Sequence, residues 1–148
     1  MNLRNYIIII TIMLALQSAL AQANDVVFIV HAENPAEKLT LTEIRDFYFK
    51  RKRRWNNGES IRFMDRTNSP LRETFLKKYI NKTTSDVELF WIGQKLYSGD
   101  SAPLKEASDS TTMSFVSSLK GAIGYVAEST VLRKNVKVIK VERVGSSY

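Results

Sequence analysis

Ile61-Arg62-Phe63-Met64-Asp65-Arg66-Thr67-Asn68-Ser69-Pro70-Leu71-Arg72 changes its structural period within a dozen residues. Ile61–Met64 alternates apolar and polar side chains, as a short strand does. Ser69-Pro70 then marks a helix start, since a Ser oxygen can accept from the open first-turn amides and Pro is pre-set for the first helical position. Leu71, Phe75, Leu76 and Tyr79 continue as an apolar stripe, and Asn81-Lys82 can end it. The stretch predicts a strand, a loop and a helix in succession, a unit of α/β folds.

The flanking sequence repeats that alternation. Upstream, the β-branched and aromatic run Val26–His31 reads as a buried strand, and Asn34-Pro35 breaks it. Thr40-Leu41-Thr42-Glu43 has capping-box spacing, and Leu41, Ile44, Phe47 and Tyr48 recur at helical intervals. Lys50–Arg54 is a run of cations ending at Trp55, and Asn56-Asn57-Gly58 is a turn signal. Downstream, Ser85-Asp86-Val87-Glu88 reads as a second capping box, opening a helix with Val87, Phe90, Trp91, Gln94 and Leu96. Gly99–Ala107 is polar and reads as a loop. A short helix from Ser110 to Leu119 and strands at Ala122–Val126 and Val136–Val141 complete the pattern. Strands alternating with helices favour an α/β layer fold over a sandwich or a bundle.

The chain has 148 residues, a formal charge of +7, one His and no Cys. Lack of cysteine excludes disulfide frameworks, thiolate metal sites and a cysteine nucleophile. A chain of this length and 44% hydrophobic content has material for one ordinary core. Residues 1–23 have the layout of a secretory signal peptide: Arg4 near the start, the apolar run Tyr6–Leu16, and small residues giving cleavage near Ala21 or Ala23. Residues 24–148 are then the folded domain, periplasmic or secreted. Outside the cytoplasm the polyanions that meet a basic protein are head groups, oxyanions and acidic proteins, so nucleic acid is not expected.

Chemistry concentrates in few places. His31 has no Ser–Asp set and no metal-ligand spacing around it, and no pair of carboxylates is singled out for acid–base work, so neither an enzyme nor a metal or cofactor is expected. The segment Arg66–Arg72 has a positive argument. Arg66, Ser69 and Arg72 can converge with the first-turn amides on an oxyanion. The same residues also fit an ordinary capped helix with exposed arginines.

Asn34-Pro35, Leu39-Thr40 leading to Phe47-Tyr48-Phe49, Trp55-Asn56-Asn57-Gly58, Arg66-Thr67-Asn68-Ser69 ahead of Phe75, and Lys120-Gly121-Ala122-Ile123-Gly124-Tyr125-Val126 occur in an order that resembles phosphate-binding proteins of ABC transporters, in the type II periplasmic binding protein superfamily. In that family two α/β lobes close on an oxyanion; the resemblance implies a lobe with a mixed sheet flanked by helices, of which residues 24–148 have material for one, and a non-enzymatic, exported protein that binds phosphate or a related oxyanion. By that resemblance Arg66 matches the family arginine and Ser69 the helix-start serine; the expected anion seat is Arg66, Thr67, Asn68 and Ser69 with the Leu71 and Arg72 amides. Pro70 stands where the family has Gly, Leu71 where it has Thr, and Lys50 where a glycine is usual before the Trp. Pro has no amide to donate and Leu no hydroxyl. The N-terminal Ser/Thr-rich loop that forms the family's other cleft wall has no counterpart in the sequence. These departures motivate an alternative, a binding-protein scaffold serving protein interaction or envelope assembly, docking an acidic protein or anionic envelope surface through Lys50, Arg51, Lys52, Arg53 and Arg54. Gly121 and Gly124 read as close backbone approaches, and Trp55, Trp91 and Tyr125 as packing aromatics.

Overall fold

The computed structural model describes residues 2–5, 7–10 and 25–143. Residues 3–5 and 7–10 are helical and exposed, while the cleavage positions Ala21 and Ala23 lie outside the described residues. No described helix is long and apolar enough to cross a membrane.

Among the described residues six strands form one sheet: β1 (Val26–His31), β2 (Lys38–Thr40), β3 (Arg62–Arg66), β4 (Leu104–Glu106), β5 (Ala122–Ala127) and β6 (Val136–Glu142), in the spatial order β2-β6-β1-β5-β3-β4. β1 lies antiparallel between β5 and β6, with Phe28 opposite Tyr125 on one side and Ile139 on the other. β2 runs parallel to β6, and β3 runs parallel to both β5 and β4. The sheet is therefore mixed, as the resemblance implies.

Successive residues of a strand face opposite sides, and β1 is apolar toward both. Phe28 and Val30 belong to one core with Phe47, Tyr48, Phe75, Trp91 and Tyr125, whereas Ile29 belongs to another with Met113, Val116 and Val126. The first core is covered by α1 (Leu41–Tyr48), α2 (Pro70–Phe75) and α3 (Thr84–Ser98), the second by α4 (Asp109–Ser118). Gly124 permits the second packing: a Cβ there would lie 2.8 Å from Thr112 Cγ2 of α4. At Gly121 a Cβ would lie 2.0 Å from the Ser60 carbonyl oxygen, and the Gly121 oxygen accepts from Trp55 Nε1 at 2.9 Å.

Several boundaries differ from the sequence reading. The capping box of α3 is Thr83 with Asp86, not Ser85 with Glu88; the spacing rule holds two residues earlier, and Ser85 falls inside the first turn. The strand read at Ile61–Met64 runs over Arg62–Arg66, because the Ile61 amide turns to the Arg53 carbonyl. The segment read as a loop at Gly99–Ala107 contains β4, and β2 was not expected; each is three residues whose pairing is supplied by its neighbour. The helix opened by Ser69-Pro70 relaxes into a π-turn over Leu76–Ile80 before Asn81 ends it in the left-handed region. Leu96, read with the core stripe of α3, is 80% exposed.

Candidate functional site: the loop between β3 and α2

β3 delivers Asp65 and Arg66 to the start of the loop, and Ser69 starts α2 by accepting from the Arg72 amide at 3.2 Å, with Pro70 at the first helical position. The Thr67 amide donates to the Glu106 carbonyl at 3.1 Å, which ties the loop to the end of β4.

Asp65 is fully buried and accepts four hydrogen bonds. Oδ1 takes the Tyr125 hydroxyl at 2.6 Å and the Arg66 amide at 2.7 Å; Oδ2 takes the Tyr48 hydroxyl at 3.0 Å and Arg72 Nε at 3.1 Å. Arg72 also donates from Nη1 to Asn68 Oδ1 at 3.0 Å. Burial, with the Asp65 carboxylate beside them, pushes both phenols well above the ordinary tyrosine range, so they stay protonated donors. Burial by itself disfavours the Arg72 cation, and the Asp65 charge outweighs it, raising the Arg72 pKa.

Arg66 is handled differently. It is 7% exposed and donates from Nη1 to Asp109 Oδ1, but its buried Nε has no partner. Asp109 Oδ2 accepts from the Thr130 hydroxyl and, at 3.3 Å, from the Ala127 amide. Burial pushes the Asp109 carboxyl up, yet the bonds from Thr130, Arg66 and the Ala127 amide hold it below the ordinary carboxylate value.

The structure thus brings Arg66, Thr67, Asn68, Ser69, Leu71 and Arg72 into one loop and helix start, but the Arg72 guanidinium and amide and the Ser69 oxygen are already engaged. Both arginines are matched by carboxylates, so donors rather than net charge are what the loop offers an anion. The sequence reading missed Asp65, Asp109 and the two tyrosines; Asp65 directly after Phe63-Met64 in a strand was the available signal, an acid at a core position.

The remaining singled-out residues fall elsewhere. His31 closes β1 at the edge of the core, its Nδ1 accepting the Glu33 amide at 3.1 Å. In the cation run, Lys50 donates to the Ser101 carbonyl, Arg51 pairs with Asp46, Lys52 with Glu43, Arg53 with Asp100, and Arg54 donates to the Gly58 carbonyl. Lys50 has φ of 57°, the left-handed region that explains a glycine at this point in the resembling family. Trp55, Trp91 and Tyr125 are buried. No group of three or more metal-ligating side chains occurs among the described residues.

The mixed sheet with helices on both faces is that of periplasmic-binding-protein-like lobes, and solved structures share it. An ABC-type phosphate transport receptor from Vibrio cholerae superposes with a TM-score of 0.62 at 19% identity, over 78% of this chain and 45% of that one. A phosphate ABC transporter substrate-binding protein from Clostridium perfringens, solved with bound phosphate, gives 0.57 at 21% identity, over 78% and 44%. PstS from Borrelia burgdorferi gives 0.58 at 16% identity, over 82% and 49%. The chain spans a little under half the length of each of these structures. No protein-family model and no curated protein matches the sequence.

Proposed function

We propose that the chain is an exported, non-enzymatic lobe that binds phosphate or a related oxyanion at the loop between β3 and α2, through Arg66 with Thr67, Asn68, Ser69 and Leu71 around it, while Arg72 holds the loop in place through Asp65 and Asn68. The observation that carries the reading is the buried Arg66 Nε, a donor with no protein acceptor, at the end of a strand in a fold shared with phosphate-binding structures. Buried donors are almost always paired, and a tetrahedral oxyanion brings the acceptor that Arg66 Nε lacks. Asp109 holds the guanidinium in place from Nη1 and keeps its charge partly neutralised. Binding is weak on this reading, since one lobe leaves the anion partly hydrated and the loop has no unmatched cation. Calorimetry with phosphate and sulfate tests it. Heat of binding is expected at millimolar ligand, about 4 kcal/mol of affinity, and Arg66→Ala is expected to abolish it. Silence from both anions at that concentration contradicts solute capture.

A further inference from the structure

We propose that the groove between α3 and residues 101–105 is a second ligand site, built for an apolar molecule that carries a carboxylate. It goes beyond the oxyanion reading and stands without it.

α3 is apolar on two faces. Val87 and Trp91 pack inward, while Ile92 and Leu96, one turn apart, are 59% and 80% exposed and line the groove. The outer stripe borders an open volume of about 570 Å³. That size is usual for small-ligand sites, about 300–1,000 Å³.

The floor has unmet polarity. Arg72, only 1% exposed, lines the groove together with Tyr48 and Asp65. Its guanidinium is already engaged, donating from Nε to Asp65 and from Nη1 to Asn68, with the Tyr48 hydroxyl a further hydrogen-bonding neighbour. Trp91 also lines the groove, and its buried indole Nε1 has no partner. Lys95 and Lys105 stand on the lining with two acids, Glu88 and the Arg72-paired Asp65, and the Lys95 ammonium reaches Ser101 Oγ at 3.2 Å. The unpartnered indole donor, apolar walls and two lysines ask for an anionic acceptor on an apolar body. A carboxylate suits an N–H donor flanked by two ammonium groups. Inorganic phosphate does not fit, because it would surrender its hydration to apolar walls. A second copy of the chain is disfavoured too, since a two-fold contact would bring like lysine-bearing surfaces together.

The test is ¹⁵N–¹H NMR of the full chain titrated with octanoate, with octanol and phosphate in parallel. The chain has two tryptophans, and Trp55 Nε1 is already bonded to the Gly121 carbonyl, so its indole resonance is an internal control. The Trp91 indole and the Ile92 and Leu96 amides are expected to shift saturably with octanoate, about tenfold tighter than with octanol. The Trp55 signal stays in place and phosphate does not compete. Ile92→Asp, at an exposed position that leaves the fold intact, should abolish the shifts, and Lys95→Glu with Lys105→Glu should weaken them several-fold. No saturable shift at millimolar octanoate, equal binding of octanol, or unchanged shifts in Ile92→Asp would each overturn the proposal.

Discussion

Asp65 and Arg66 are neighbours on β3 and both are buried, but the fold treats them in opposite ways. Asp65 receives donors from α1, α2, β5 and the backbone, so each carboxylate oxygen is bonded twice. Arg66 has one carboxylate partner and an orphan nitrogen. A buried charge satisfied from every side fastens elements together, whereas one left partly unsatisfied at a loop is placed for something the protein does not contain. On the proposed function, the first is architecture and the second a ligand-facing group.

Substitution separates the two most sharply. Asp65→Ala strands the Arg72 charge and two buried hydroxyls, and is expected to cost about 3–5 kcal/mol in denaturant unfolding. Arg66→Ala should cost far less, about 1–2 kcal/mol, while eliminating phosphate binding. Equal losses of stability would erase the distinction. Tyr125→Phe comes next, expected to cost about 1.5–3 kcal/mol for a hydrogen bond to a charged group. Combined with Tyr48→Phe it should be non-additive, because both hydroxyls serve one carboxylate. The smallest effect is acid sensitivity at the Arg66 end. Asp109 has a lowered pKa in the folded state, so the unfolded chain binds its proton more readily. Its contribution to stability is present at neutral pH and is lost as pH falls through and below the ordinary carboxylate range. Acid titration of Asp109→Asn should therefore show a shallower loss of stability than the wild type.

Much of the architecture was legible because it depends on local rules. The Thr40–Glu43 capping box, the Ser69-Pro70 start and the two-sided apolar run of β1 stand as read, since caps and burial period act over a few residues. The edge strands β2 and β4 were not legible: Lys38-Leu39-Thr40 and Leu104-Lys105-Glu106 have no period of their own to show. The loop Arg66–Arg72 could be picked out as a candidate, but its wiring could not. Asp65 meets Tyr125 across 60 residues and Arg66 meets Asp109 across 43, pairings made by sheet order rather than spacing. The cap of the Arg72 amide on Ser69 is local, but that the Arg72 side chain lines the α3 groove is decided by the tertiary arrangement.

The most direct measurement follows the arginine Nε–H resonances by NMR while inorganic phosphate is added to the full chain. The Arg66 signal should move saturably as its unmet donor gains an acceptor, and the Arg72 signal, already bonded to Asp65, should stay in place. A titration that moves Arg72 and leaves Arg66 still would contradict the division between a structural Asp65 and a ligand-facing Arg66.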